Sequence, residues 1–336
     1  MCLRTVELSL HEIAPKVYKE QYLEKENDIL ETTLALAETG YSEAYRFLSD
    51  FYEKNSEHCG PQTLYFLACL AGGMKLPDEA LGWLRKSIRE NGWWYRPEVL
   101  IDDDLEPLYG NAEFIALRTL SDARYAEAVK TSKPLFSRQG KTAGNLFIAV
   151  HGNTQNGQTA RNDWAPIVGE APDWQLETIQ SAEPDGYGTY RWSYDMSSYL
   201  PVANAMTEVR DKGYREIVCG GFSAGCDMLL RAVTFTPARC DVLVLQSPWI
   251  PLIEDHAEDL TRAIREKNIA VRILCGAEDE DCLEPAERLH ALLAREKLDA
   301  RLTVQPNSRH QFPAAETMRG NLRDIWADGL PKEVGR

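Results

Sequence analysis

One serine stands in a run whose residue types could make it a nucleophile: Gly220-Gly221-Phe222-Ser223-Ala224-Gly225, with an apolar stretch before it and an amphipathic one after. Glycines two places either side of a serine let a strand turn sharply into a helix. Gly221 and Gly225 remove the side chains that would collide in such a turn. The turn exposes the Ser223 hydroxyl and aims the first amides of the following helix at it, so the Ala224 N–H is a candidate donor to a developing oxyanion. A serine at its ordinary pKa is a poor nucleophile and needs an adjacent base. The chain has six histidines. His11 and His58 fall in a helical region, His256 opens an acidic amphipathic segment, and His290 sits on a stripe of helical spacing. His310 instead lies in a loop, Pro306-Asn307-Ser308-Arg309-His310-Gln311-Phe312-Pro313, after the last strand-like run, and is the candidate base. An acid is needed to accept the imidazole N–H, fix its tautomer and offset the charge formed during attack. The run Gly276-Ala277-Glu278-Asp279-Glu280-Asp281 follows the apolar stretch between serine and histidine, and gives Asp279 as first candidate and Asp281 as second. Upstream, Val150-His151-Gly152-Asn153 supplies a flexible loop in which the Asn153 N–H is the candidate second oxyanion donor and His151 reads as a brace. Together these groups could transfer an acyl group to water.

The elements that would position them alternate between two types after Lys133-Pro134. Short β-branched and apolar runs at 146–150, 174–180, 216–220, 242–246, 271–275 and 301–304 predict strands. Longer amphipathic stretches at 163–168, 202–212, 224–233, 255–266, 285–297 and 314–327 predict helices. A continuous run such as Val242-Leu243-Val244-Leu245 suits a strand buried on both faces. Strand–helix alternation implies right-handed crossovers and a mostly parallel sheet covered by helices. In such sheets ligands and chemistry collect at the carboxyl ends of the strands, where all the candidates above fall. The aromatic residues nearby, Tyr190, Trp192 and Trp249, read for the most part as core.

The order Ser223…Asp279…His310, the Gly-Phe-Ser-Ala-Gly turn, the His151-Gly152-Asn153 loop and the ending His310-Gln311-Phe312-Pro313 resemble the α/β-hydrolase superfamily across about residues 146–327. Within it the chain looks like the small phospholipase/carboxylesterase and dienelactone-hydrolase-like esterases. The resemblance implies hydrolysis of a small-molecule carboxylic ester or thioester through an acyl-enzyme, with no metal and no organic cofactor. The loop after Asp279 lacks the Asp-Pro turn often seen in those proteins, which leaves Asp281 open as the acid. A serine peptidase on the same three residues is the neighbouring reading.

The first part of the chain has a different period. Ala44, Leu48 and Phe51 recur at helical spacing, and Ala80, Leu84 and Ser87 repeat the pattern. Leu64, Leu67, Ala68 and Ala71 form one face of a helix, and Pro77-Asp78-Glu79 opens the next with a proline and acids suited to a first turn. The stretch 64–117 resembles the closing repeat of a tetratricopeptide array, carried by Tyr65-Phe66-Leu67-Ala68-Cys69, Asp78-Glu79-Ala80-Leu81-Gly82-Trp83-Leu84 and Asp104-Leu105-Glu106-Pro107-Leu108. The expected organisation is a helical domain over 1–135 and an α/β-hydrolase domain over 136–336. The helical domain is expected to bind a protein partner, to self-associate, or to roof the cleft, the last also through Gly92-Trp93-Trp94-Tyr95. The competing class is a helical interaction protein carrying an inert hydrolase domain.

Composition narrows the partners. Of 336 residues, 44% are hydrophobic and 26% charged, as in ordinary globular proteins. The net charge is −15 and neither side of residue 140 is basic, which argues against a nucleic-acid partner. No apolar run approaches the length of a membrane span and no secretory leader is visible, so the expected location is cytoplasmic. The eight cysteines show no CxxC pair or zinc-ligand spacing and read as structural.

Overall fold

A computed structural model describes residues 23–139, 144–169, 171 and 173–326, and contacts divide the chain into two compact units between Arg124 and Tyr125. His11 lies outside the described residues.

The first unit is helical: α1 (Leu23–Thr39), α2 (Tyr41–Asn55), α3 (Pro61–Gly73), α4 (Pro77–Arg85) and the part of α5 (Ala112–Thr131) up to Arg124. Proline opens both α3 and α4, where its missing N–H costs nothing. Leu64, Leu67, Ala68 and Ala71 of α3 and Ala80 and Leu84 of α4 are all buried, and the small residues Ala68, Ala71 and Ala80 share one core cluster. Ala44 and Leu48 are buried on α2, but Phe51 is half-exposed and Tyr52 takes the inward position. Tyr95 is buried within this unit, its phenol 2.5 Å from Ser87 Oγ and 2.7 Å from the Pro61 carbonyl it donates to.

The second unit is a seven-stranded sheet. Its strands are β1 (Leu135–Gln139), β2 (Asn145–Val150), β3 (Trp174–Gln180), β6 (Glu216–Phe222), β7 (Val242–Gln246), β8 (Ala270–Gly276) and β9 (Ala300–Gln305), in the order β1-β3-β2-β6-β7-β8-β9. A separate hairpin pairs β4 (Glu183–Gly186) with β5 (Thr189–Arg191). All neighbours in the large sheet are parallel except β1, which runs antiparallel to β3 at the edge. Every residue of β6, β7 and β8 is buried because helices cover both faces. Alternate side chains enter opposite cores, as the strand period demands. Leu146, Ile148 and Val150 join a core with helices α7 (Met196–Arg210), α8 (Ala224–Phe235), α9 (Leu252–Lys267) and α10 (Leu283–Arg295). Phe147 and Ala149 face α6 (Gly157–Val168), α11 (Ala315–Asn321) and α12 (Arg323–Trp326).

This is the mostly parallel, helix-covered sheet of an α/β-hydrolase fold, preceded by an all-helical region. Several features depart from the expected elements, among them the helix expected at 314–327, which is two helices, α11 and α12. β1 and the β4–β5 hairpin are additional, and both are short, with residues that apart from the buried Pro184 are exposed or half-exposed where described and carry little apolar periodicity. α6 and α7 begin six residues earlier than expected, at Gly157 and Met196, because Asn156 and Asp195 cap them. Asn156 Oδ1 accepts from the Gln158 and Thr159 amides, and Asp195 Oδ1 from Ser197 and Ser198. Among the described residues no helix is long and apolar enough to cross a membrane.

Candidate active site

β6 ends at Phe222 and α8 begins at Ala224, so Ser223 is the single residue of the turn. It adopts φ 52°, ψ −124°, a conformation that a side-chain-bearing residue holds only under constraint. The constraint is hydrogen bonding on both sides. Ser223 N–H donates to the Gln246 carbonyl at 3.0 Å, and its own carbonyl accepts from the amides of Cys226 at 3.0 Å and Trp249 at 3.3 Å. The glycines make the crossing feasible. A Cβ at Gly221 would lie 2.7 Å from Cys226 N, and one at Gly225 2.5 Å from the His151 carbonyl oxygen. Ala224 occupies the first helical position of α8, where an amide has no acceptor within the helix.

His310 follows β9, and its Nδ1 lies 3.0 Å from Asp279 Oδ2. Asp279 follows β8 and is only 2% exposed. The two loops are tied together by backbone bonds, Ala277 N–H to the Gln305 carbonyl at 2.8 Å and Glu278 N–H to Ser308 at 2.9 Å. Asp279 Oδ1 also accepts from the Cys282 amide at 3.2 Å. Burial pushes the Asp279 carboxyl upward. Hydrogen bonds and charge from His310, with the Ser247 hydroxyl and the Cys282 amide, outweigh it and hold the group below the ordinary carboxylate range. The imidazole also packs on Phe222, with ring centroids 5.1 Å apart.

Ser223 and His310 line one pocket of about 300 Å³ with Asn153, Tyr194, Trp249, Asp281 and Cys282. The pocket opens at the carboxyl ends of β2, β6, β8 and β9. Asp281 is exposed on this wall, and the carboxylate against the imidazole is that of Asp279. Asn153 borders the pocket while its side-chain oxygen accepts from the Trp192 amide at 2.8 Å. The preceding amide, of Gly152, is taken by Gln155 Oε1 at 2.8 Å.

His151 is fully buried and away from this chemistry. Its Nδ1 lies 2.6 Å from the Gly152 carbonyl and its Nε2 accepts from the Ser181 amide at 3.1 Å. That pattern assigns the ring proton to Nδ1, and burial pushes the pKa down to about 4. Trp192 is core, as expected, its indole N–H donating to the His151 carbonyl at 2.8 Å. Trp249 is not: it is 41% exposed on the pocket wall, donating to Tyr194 Oη at 2.8 Å. It lies three residues beyond β7, in a loop at the sheet's carboxyl edge, where an aromatic residue can face the cleft instead of a core. His58 belongs to the helical unit, and His256 and His290 sit on α9 and α10 outside the pocket lining.

Sequence reasoning did not find Ser247, whose hydroxyl helps hold the Asp279 carboxyl down, or Tyr194 and Cys282 on the wall. Ser247 follows β7 at φ 43°, and its place one residue beyond a strand of a parallel sheet was the available signal. Its hydroxyl also accepts from Gln246 Nε2 at 3.0 Å.

Comparison with known proteins gives a partial match. Residues 25–129 match the family described as "A/B hydrolase-like, N-terminal domain". No curated protein sequence matches the chain. Among solved structures, an uncharacterized protein from Bacillus cereus ATCC 10987 is 26% identical with a TM-score of 0.51, over 90% of this chain and 98% of that one. A likeness of that extent includes parts of both the helical and the sheet unit. A carboxylesterase from Mesorhizobium loti is 21% identical over 57% of this chain and 98% of its own, with a TM-score of 0.45. Acyl-protein thioesterase 2 from Zea mays is 16% identical over 57% of this chain and 100% of its own, with a TM-score of 0.42.

Proposed function

We propose that the chain is a serine hydrolase that cleaves carboxylic esters or thioesters through an acyl-enzyme on Ser223, His310 and Asp279. The observation that carries this reading is the 3.0 Å contact between Asp279 Oδ2 and His310 Nδ1 beside the pocket that Ser223 enters from a strained turn. With Nδ1–H donated to a buried carboxylate, the Nε2 lone pair is the ring's remaining acceptor, and it takes the Ser223 proton as Oγ attacks the substrate carbonyl. The amides of Ala224 and Asn153 receive the oxyanion. The imidazolium then protonates the leaving group, and the neutral ring activates water to release the acid. Asp279 stays ionised throughout, because its pKa is held low.

A cavity of about 300 Å³ is at the small end of ligand pockets, which favours a short acyl group. For the helical unit we propose the role of a tetratricopeptide-like helix-pair module that recruits a partner or a second copy. The close crossing of α3 and α4 through Ala68, Ala71 and Ala80 supports it. Hydrolysis of p-nitrophenyl acetate tests the catalytic reading. Turnover by the wild type should disappear in Ser223→Ala with the thermal transition retained, and full activity in that variant would overturn the assignment.

A further inference from the structure

We propose that Asp279 Oδ2, Cys282 Sγ and His310 Nδ1 form a capture site for a thiophilic divalent cation such as Zn²⁺, and that capture switches the hydrolytic site off. The second half rests on the serine-hydrolase reading. The first rests on geometry alone.

The three donor atoms lie within 4.8 Å of one another. His310 Nδ1 is 3.0 Å from Asp279 Oδ2 and 3.6 Å from Cys282 Sγ. Tetrahedral zinc with Zn–N and Zn–O of about 2.1 Å and Zn–S of about 2.3 Å separates N from S by about 3.6 Å and N from O by about 3.4 Å. The sulfur is therefore in register with the nitrogen, the nitrogen and oxygen need to part by a few tenths of an ångström, and the sulfur and oxygen, within 4.8 Å, need to close toward about 3.6 Å. Asp279, in the loop after β8, and Cys282, at the start of α10, are buried, while the His310 side chain is 36% exposed and can make that shift. Cys282 and His310 both face the pocket, so a cation there keeps a fourth position open to water from the cleft. The donor set of one thiolate, one imidazole and one carboxylate favours zinc over Mg²⁺ or Ca²⁺, which prefer oxygen shells.

Proton balance explains the switch. Without a metal, a cysteine thiol such as that of Cys282 carries its proton at neutral pH. The cation displaces that proton, because a coordinating thiol is deprotonated outright. A ligated Nδ1 can carry no hydrogen, so the neutral ring must place its one proton on Nε2. The net release is one proton per ion. With hydrogen on Nε2, the ring has no lone pair to receive the Ser223 proton, and Asp279 no longer orients it.

The test uses the full chain in two measurements. Titration with Co²⁺ as a spectroscopic stand-in for zinc should raise a thiolate-to-cobalt charge-transfer band that is absent from both Cys282→Ser and Cys282→Ala. Zinc should inhibit ester hydrolysis, with half-inhibition in either variant shifted up by at least about tenfold, the scale that loss of even an outer-shell partner causes. Each variant is normalised to its own zinc-free rate. No band in the wild type, a band that survives both substitutions, or equal zinc sensitivity would overturn the site. A band lost in both variants, with no ester hydrolysis in zinc-free wild type, would sink the hydrolase reading and its inhibition while establishing the cation site.

Discussion

His310 Nδ1 meets Asp279 Oδ2 at 3.0 Å, and the carboxylate side of that contact is almost wholly shielded from solvent. The neighbouring acid, Asp281, stands on the exposed pocket wall. Asp279→Asn should therefore lower kcat for ester hydrolysis by about 10⁴, the size of the effect when an orienting carboxylate becomes an amide and the imidazole adopts the wrong tautomer. Asp281→Asn should stay within about threefold of wild type, because an exposed charge couples weakly to its surroundings. A larger loss from Asp281→Asn than from Asp279→Asn would move the orienting role to Asp281.

In the proposed mechanism Ser247 would act on the imidazole through Asp279. Its hydroxyl is one of the donors that hold the carboxyl below its ordinary range. In Ser247→Ala that support is gone and the Asp279 pKa rises. Asp279 is then lost as an anion at a higher pH, so the acid limb of the kcat profile moves upward. A hydrogen bond to a charged group of roughly 1.5 kcal/mol corresponds to a fall in kcat of about tenfold. A fall in kcat with the acid limb unmoved would show that Ser247 only supports the loop.

His151 makes stability depend on pH in its own window. The folded ring has a pKa of about 4 against an ordinary 6.5, so between those values the unfolded chain binds a proton that the folded chain refuses. Stability then falls as pH drops from 6.5 toward 4, by at most about 3 kcal/mol. The Asp279 contribution has the same sign but is lost only below the ordinary carboxylate range, so the two separate. His151→Asn should be less stable at neutral pH, and its thermal midpoint should change less between pH 6.5 and 4 than that of wild type. Parallel curves would show that the ring is protonated in the folded state.

Much of the sheet unit was legible because its strands are long apolar runs with a clean switch to helical spacing. Val242–Gln246 and Trp174–Gln180 coincide with the runs read from the sequence. β1 was not legible, since Leu135 and Phe136 are exposed and the strand pairs on one side only. Nor were the starts of α6 and α7, where side-chain caps at Asn156 and Asp195 outweigh the weak periodicity of the first turns. At the candidate site, strand-end logic singles out Ser223, Asp279 and His310, which the fold brings to one edge of the sheet. It gives no access to Ser247, Tyr194 or Cys282. Their position depends on how loops after different strands pack, a property of tertiary contacts that spacing along the chain does not encode.

Activation of Ser223 by His310 is the step on which the proposed hydrolysis depends, and a fluorophosphonate probe reads it without knowledge of the substrate. Mass mapping after brief exposure of the full chain should find one adduct, on Ser223, with labelling slowed by at least about 10³ in His310→Ala, the scale of losing a triad member. Labelling of Ser223 at the same rate in His310→Ala, or no adduct on Ser223 in the wild type, would contradict it.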